Sequence, residues 1–194
     1  MTFPHRVGFF GGTFDPIHQG HLEIAEKAVK ALKLDKMVFI PCRRSPHKLE
    51  NPGATDAERL EMLRRALIPY PDFEVNCIEL EKPPPSYTWQ TIRDLKPDYP
   101  ENTRLFLLIG LDQWEALPRW KNPEILAELV EFIVVGRAGH PSARDNYRAH
   151  FLTGNHPASS SKIRSDLANG RTPAWLPDSV LEFIREKGLY SSAT

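Results

Sequence analysis

The sequence predicts an α/β fold built on a doubly wound parallel sheet with helices on both faces. Short apolar runs alternate with stretches of helical spacing, as they do in βαβ units. Two of the runs, Leu105–Ile109 and Phe132–Val135, are apolar throughout, which is typical of strands buried on both faces of a parallel sheet. A chain of 194 residues can bury one full core. We therefore expect a single Rossmann-like domain over residues 1–194.

Apolar runs bounded by turn residues set the predicted strands. In chain order they are Val7–Phe10, Met37–Ile40, Phe73–Ile78, Leu105–Ile109 and Phe132–Val135. The rest of the segment from about 138 to 158 is rich in Gly, Pro, Ser and Asn, and we expect an irregular loop there in which only His150–Leu152 is compatible with a short strand. The spacing of its three histidines, His140, His150 and His156, does not fit a compact metal site.

Helices are predicted between the strands from apolar periodicity and capping residues. Leu22 to Leu32 has amphipathic spacing, and Thr55 with Glu58 forms a capping box before a stripe of Leu60, Leu63 and Leu67. The remaining predicted helices span Tyr87–Leu95, begin at Asn122-Pro123, and occupy about 161–190, where Gly170 ends one helix and Ser179 with Glu182 caps the last, which Gly188 ends. The run Pro83–Pro85 is expected to be a stiff, extended connector.

Composition excludes several classes of function. Lys plus Arg equals Asp plus Glu, so no global basic field favours nucleic acid. No apolar run approaches the roughly 18 residues of a membrane helix, and the N-terminus lacks a signal-peptide core. Cys42 and Cys77 are expected to be buried thiols rather than a disulfide. We expect a cytoplasmic protein with no membrane partner; self-association stays open.

The segment from Val7 to His21 carries the clearest functional pattern. The predicted strand breaks at Gly11-Gly12, and a predicted helix comes after it. His18 and His21, three residues apart, share one face of the first turn of that helix. Strand, glycine turn and helix together present backbone N–H groups to an anion. Gly20 would let a ligand approach the backbone between the histidines. The pattern predicts a phosphate site.

Two other segments are predicted to share that site. Pro41–Lys48 and Gly110–Asp112 each follow a strand, so both should reach the same sheet edge as Gly11–His21. Ser159–Arg164 fits a second phosphate cradle, with serine hydroxyls, a helix N-terminus and a guanidinium fork. A plain serine cap with a surface arginine is the alternative for that segment.

Several motifs together resemble one enzyme family. GGTFDPIHQGH is similar to the signature of the nucleotidyltransferase superfamily with a His/Thr-x-Gly-His motif, and most similar to bacterial nicotinate mononucleotide adenylyltransferases. The resemblance continues, in the family's order, through Ser45–Lys48, Pro85–Thr88, Ile109–Asp112, Trp120, Ser159–Arg164 and Gly188–Tyr190. The chain departs from the usual Ile-Ser-Ser-Thr at Ala158 and Ser161, and from Pro-Pro-His-Lys at Ser45.

The resemblance implies an enzyme that transfers the adenylyl group of ATP to nicotinate mononucleotide. The products are nicotinic acid adenine dinucleotide and pyrophosphate, formed for NAD biosynthesis without a covalent intermediate. It implies catalytic roles for His18, His21 and Arg164. ATP would contact Gly11, Gly12, Thr13, Phe14, Asp112, Ser160, Ser161 and Arg164, and the mononucleotide would contact His47, Lys48, Tyr87, Thr88 and Trp120.

The other expectations concern the metal, Asp15 and rival functions. Mg²⁺ would be carried mainly by ATP, with no protein metal site. Asp15 is expected to hold the turn rather than to touch an anion. Rival functions are a related transferase that uses nicotinamide mononucleotide, phosphopantetheine or a cytidylyl donor, and a nucleotide-binding regulator without turnover. An aminoacyl-tRNA synthetase is disfavoured because the chain is short and has no basic surplus.

Overall fold

The computed structural model describes residues 5–43, 53–136 and 143–191. Its six strands form one parallel sheet in the order β3-β2-β1-β4-β5-β6. The strands are β1 (Arg6–Gly12), β2 (Lys36–Pro41), β3 (Phe73–Val75), β4 (Arg104–Gly110), β5 (Glu131–Gly136) and β6 (Ala149–Thr153). Strands β2 and β3 are added on one side of β1, and strands β4 to β6 are added on its other side. The strand order therefore switches between β1 and β4, and doubly wound folds bind ligands at such a switch point. The predicted fold class is confirmed.

Eight α-helices cover the sheet within the described residues. They are α1 (Gln19–Leu32), α2 (Asp56–Leu67), α3 (Ile78–Glu81), α4 (Thr88–Leu95), α5 (Leu111–Ala116), α6 (Pro123–Leu129), α7 (Ser160–Ala168) and α8 (Asp178–Lys187), with short 3₁₀ turns at Lys96–Asp98 and Leu117–Arg119. In these ranges no helix is both long and apolar enough to cross a membrane.

The sheet separates two hydrophobic cores, because successive strand side chains point to opposite faces. In β1, Phe10 enters the core that contains Met62 of α2, whereas Phe9 enters the core that contains Trp114 of α5. Helices α2 and α8 pack together on the first side, and α4 and α6 pack together on the second. The sheet edge that carries the motifs is therefore held from both faces.

The third strand is shorter than predicted. It ends at Val75, because the side chain of Asn76 accepts a hydrogen bond from Ile78 N (3.0 Å) and turns the chain into α3. The predicted strand over Phe73–Ile78 is wrong beyond Val75. Cys77 occupies the N-cap position of α3 and is only half-buried, so its predicted burial is wrong, whereas Cys42 is buried as expected.

The capping box of α2 is confirmed, but its buried face is rotated. Thr55 Oγ1 accepts from Glu58 N at 3.3 Å, and the Glu58 carboxylate accepts from Thr55 N at 2.8 Å. Leu63 and Leu67 are buried as predicted, whereas Leu60 is half-exposed and the side chain of Arg59 is fully buried.

The last helix begins two residues earlier than predicted. Pro177 occupies its N-cap position, and the Ser179 hydroxyl donates to Arg65 O (3.3 Å), so Ser179 is not the cap. Gly188 ends the helix in the left-handed region, with φ of 62°, as expected for a C-cap glycine. The predicted loop over 138–158 contains a full strand, β6, over 149–153.

Candidate active site

The turn between β1 and α1 is shaped by Phe14. This residue adopts a left-handed φ of 49°. Its ring packs so close to Gly12 that a Cβ on Gly12 would lie only 2.8 Å from it. The ring is buried and meets the His21 imidazole edge-on, with the centroids 5.2 Å apart. Phe14 therefore offers only its backbone to a ligand and supports His21 from the core side.

His18 and His21 stack as a pair at the start of α1. Their ring centroids are 3.7 Å apart at 19°, and His18 N donates to His21 Nδ1 (3.3 Å). Because Nδ1 of His21 accepts this bond, neutral His21 carries its proton on Nε2. His18 occupies the N-cap position of α1. The spacing of the motif thus brings both rings together, as predicted.

His18 is held in its neutral form. Burial, and secondarily the charge of His156, lower the pKa of His18 from 6.5 to about 4. A neutral imidazole offers one N–H donor and adds no charge. His18 is therefore suited to hydrogen bonding rather than to acting as a cation near neutral pH.

Gly20 provides close approach, but to a side chain. A Cβ on Gly20 would lie 3.0 Å from His156 Nδ1 and 3.1 Å from His18 Nδ1. The expectation that a ligand would approach the backbone between the histidines at Gly20 is wrong in this structure, because the His156 ring packs there. His156 Nδ1 in turn accepts from Ala158 N (3.0 Å).

Asp15 is the centre of a buried network behind the turn. Its side chain is 5% exposed and accepts from Gly53 N (2.7 Å), Ala54 N (3.1 Å) and the Tyr190 hydroxyl (2.6 Å). Burial and the Asp15 carboxylate raise the pKa of Tyr190, so its proton stays in place. These bonds hold the turn, which is the role expected of Asp15.

The N-terminus of α7 is docked on the same turn. Arg164 Nη1 donates to Asp15 O (2.7 Å) and lies 3.6 Å from Asp15 Oδ2. The Ser160 hydroxyl donates to Pro16 O (3.0 Å), and Ser159 Oγ accepts from Lys162 N (3.2 Å) as the helix cap. The serine-cap alternative is thus correct for Ser159. Ser161 is exposed at the same helix start.

A cavity of about 510 Å³ opens at the carboxyl ends of β1 and β4. Its wall brings together residues from each motif predicted to converge there. They include Gly11, Gly12, Thr13, Cys42, Tyr87, Thr88, Gly110 and Trp120. Among the described residues, the histidine pair and Arg164 lie outside its lining, and Asp112 is an exposed residue that accepts from Gln113 Nε2 (3.1 Å). His47 and Lys48 lie outside the described residues.

Trp114 and Trp120 have different surroundings. Trp114 is 1% exposed and packs against Phe132 in the core. Trp120 is half-buried and lines the cavity. Of these two residues, Trp120 therefore belongs to the pocket wall and Trp114 to the core.

Sequence reasoning missed several charged residues of the site. Arg119 and Lys121 line the cavity, and Lys121 Nζ lies 4.9 Å from the centroid of the Tyr87 ring. Both residues are neighbours of Trp120 in the sequence, and this position could have indicated that they belong to the pocket wall. Buried Glu79 also lines the cavity. Buried Arg59 donates to Thr13 O (2.6 Å), and only its place beside a helix cap could have indicated it.

Comparisons with known proteins agree on one family. The family model described as cytidylyltransferase-like matches residues 9–166. A protein of Methylacidiphilum infernorum, named probable nicotinate-nucleotide adenylyltransferase, is 38% identical over 192 residues, covering 97% of this chain and 94% of the relative. A Geobacillus kaustophilus protein of the same name is 40% identical over 190 residues, covering 97% and 88%.

A solved structure supports the fold. The nicotinic acid mononucleotide adenylyltransferase of Plasmodium falciparum, complexed with NaAD, superposes with a TM-score of 0.73 at 19% identity, covering 95% of this chain and 97% of that one. At this identity the likeness concerns the fold alone.

Tyr190→Phe tests the Asp15 network. The change removes one donor from a buried carboxylate and should lower the free energy of unfolding by about 1–3 kcal/mol, measured by urea denaturation. Tyr70→Phe is the control, because the Tyr70 ring stacks on Phe73 near the surface and its hydroxyl makes no recorded hydrogen bond within the described residues. Equal stability of both variants would contradict the network.

The neutral state of His18 can be followed by NMR titration of its ring. We expect a midpoint near pH 4 rather than 6.5. Because the unfolded chain takes up this proton first, the contribution of His18 to folding becomes unfavourable as the pH falls from 6.5 towards 4. His156→Gln should raise the midpoint only partly, since burial is the larger cause. A midpoint at or above 6.5 in the unmodified protein would contradict the burial argument.

Proposed function

We propose a function from one premise: this chain belongs to the cytidylyltransferase-like family and, within it, to the nicotinate-nucleotide adenylyltransferases. The chain transfers the adenylyl group of ATP to nicotinate mononucleotide and forms nicotinic acid adenine dinucleotide and pyrophosphate, a step in NAD biosynthesis.

The observation that carries the proposal is the arrangement at the switch point of the sheet. A cavity walled by Trp120, Tyr87 and Thr88 opens beside the glycine turn of β1, and the same turn leads to the stacked pair of His18 and His21. One half of this arrangement suits an aromatic ring, and the other half suits phosphates. A reaction that joins a pyridine mononucleotide to an adenylyl group needs both halves side by side.

The proposed chemistry is an in-line displacement. An oxygen of the mononucleotide phosphate attacks the α-phosphorus of ATP, a new P–O bond forms, and the bond to the β-phosphate oxygen breaks. The phosphate is already an adequate nucleophile, so catalysis consists of alignment and of stabilising the charge that develops. We assign His18 to the α-phosphate and the Nε2–H of His21 to the transferring or leaving oxygens.

The remaining ATP contacts are proposed around the same turn. Backbone N–H groups from Gly11 to Phe14 supply fixed donors, and the Thr13 hydroxyl adds one. The backbone N–H of Ser160, the Ser161 hydroxyl and the N–H groups of Arg164 that do not bond Asp15 would meet the β- and γ-phosphates, because the Ser160 hydroxyl already donates to Pro16 O. Asp112 would accept from a ribose hydroxyl. Arg164 then has two tasks, because it also ties α7 to the turn.

The cavity is proposed to hold the mononucleotide. The face of Trp120 would stack on the pyridine ring, and backbone N–H groups near Thr88 would meet its carboxylate. Arg119 and Lys121 make the cavity wall more positive, which favours an anionic substrate in a chain of zero net charge. His47 and Lys48, outside the described residues, remain proposed as cations that close over the phosphates.

Mg²⁺ is proposed to arrive with ATP, held by phosphate oxygens and water. Bound there, it would neutralise charge on the pyrophosphate leaving group. Within the described parts of the chain, no group of three or more His, Cys, Asp or Glu side chains is placed to hold a metal ion. The donor set of the site is thus histidine, hydroxyl, guanidinium and backbone N–H, which suits phosphate oxygens rather than a cation.

The first experiment compares acceptors. Pyrophosphate release from Mg-ATP is measured with nicotinate mononucleotide, nicotinamide mononucleotide and 4′-phosphopantetheine. We expect preference for the nicotinate substrate by about tenfold or more, because a site built to hydrogen-bond a group rejects the analogue that lacks it. Preference for another acceptor would contradict the pocket assignment, and no release with any of them would favour a regulator.

His18→Ala tests the phosphate half. The variant should lose about a hundredfold or more in kcat, the loss typical of removing a donor that stabilises transition-state charge. His5→Ala is the matched control and should retain full activity, because this exposed histidine precedes β1, at the opposite end of the strand from the turn. Near-normal turnover of the His18 variant would remove this residue from the proposed mechanism.

A further inference from the structure

The cavity wall contains an acidic residue that the proposed chemistry does not use. Glu79 lies on α3, is 8% exposed, and lines the cavity together with Tyr87, Thr88 and Trp120. The cavity is proposed to receive an anion, so a carboxylate in its wall has the opposite sign from the one expected. Its contacts explain why it is there.

Glu79 binds hydroxyl groups on both sides of the start of α4. Thr91 Oγ1 donates to Glu79 Oε1 at 2.7 Å, and the Ser86 side chain also hydrogen-bonds the Glu79 carboxylate. Thr91 Oγ1 lies in addition 3.4 Å from Tyr87 O, the N-cap carbonyl of α4. The carboxylate thus spans the segment 86–88 from its first residue to the helix turn that follows it.

The charge of Glu79 is not balanced by an ion pair within the described residues. Lys82 is the cation that acts on it electrostatically, from a side chain that is bound to Asp94 (2.6 Å). Burial raises the pKa of Glu79, as it does for carboxylates that leave water. A buried acid held by hydroxyls alone is unfavourable for folding unless those bonds are made. We therefore attribute the presence of Glu79 to the position it gives the segment 86–88 and not to the stability of the fold.

The helix start that Glu79 contacts is the part of α4 that lines the cavity. Gln90 N and Thr91 N both bond to Tyr87 O, whereas Thr88 and Trp89, the first two helical residues, line the cavity. Their backbone direction follows from where the Tyr87 carbonyl and the Ser86 side chain are held.

We infer that Glu79 is a positioning residue for the mononucleotide half of the site: its carboxylate, through Ser86 and Thr91, sets the segment 86–88 against which the pyridine carboxylate binds. The inference rests on the proposed function for the identity of the ligand. Glu79 does not touch the reacting atoms, and its effect should appear in the binding of the mononucleotide and not of ATP.

Glu79→Leu and Glu79→Gln separate the hydrogen bonds from packing. Leucine removes both bonds and should raise KM for nicotinate mononucleotide about tenfold or more, since small displacements of positioning groups are costly. KM for ATP should stay within about twofold. Glutamine can accept from Thr91 and donate to Ser86, so it should restore KM to within about threefold of the unmodified protein. Glu81→Leu, exposed on the same helix, is the matched control.

Binding measurements keep the test independent of turnover and folding. Titration calorimetry with nicotinate mononucleotide alone should show the same order of affinities, and thermal melts should show each variant folded. If Glu79→Leu does not fold, Thr91→Val with Ser86→Ala removes the same bonds and should weaken mononucleotide binding likewise.

Three results would overturn the inference. They are unchanged mononucleotide affinity in the folded variants that lack the bonds, an equal rise in both KM values, and a glutamine variant as impaired as leucine. Failure of the unmodified protein to bind or turn over nicotinate mononucleotide would instead refute the proposed function.

Discussion

The buried carboxylate of Asp15 is the constraint on which the proposed phosphate half of the site depends. It accepts hydrogen bonds from Gly53 N and Ala54 N just before α2, and from the Tyr190 hydroxyl near the C-terminus. Its backbone carbonyl accepts from Arg164 of α7. Segments far apart in the chain are therefore tied to the turn that precedes His18. Losing any of these partners would leave the buried carboxylate unpaired at a cost in stability. The bonds therefore fix the conformation of the turn, and the turn fixes the position of the stacked histidines.

The site joins two halves with different chemistry at the switch point of the sheet. The proposed phosphate half has donors that the fold fixes in place: a neutral His18, the Nε2–H of His21 and backbone N–H groups. Such preorganised donors suit a reaction whose nucleophile is already a phosphate oxygen. The other half is a cavity with an aromatic wall, and Glu79 orders one side of it through hydroxyl groups. The positive charges proposed to attract the two polyanionic substrates lie at the site itself, so a net charge of zero for the whole chain is compatible with the proposal.

Sequence patterns predicted the sheet and the sheet edge at which the motif segments meet, because both depend on short-range signals. The apolar run Leu105–Ile109 forms a strand, and the glycine turn leads into a helix at His18, as each pattern predicts from its own residues. The errors have tertiary or side-chain causes. Asn76 bonds its own backbone neighbour and shortens β3, and Ser179 donates to another helix instead of capping its own. Neither the packing of His156 on Gly20 nor the burial of Glu79 has a signal in spacing, because each depends on residues brought together only by the fold.

A crystal structure of the protein with bound nicotinic acid adenine dinucleotide would test the division into two halves most directly. The account predicts the pyridine ring on Trp120 in the cavity, with its carboxylate at the Thr88 backbone, and the adenylyl phosphate within hydrogen-bond distance of the His18 and His21 rings. A dinucleotide bound the other way round, with adenine in the cavity, would contradict the assignment of both halves. A phosphate that contacts neither histidine would contradict the mechanism.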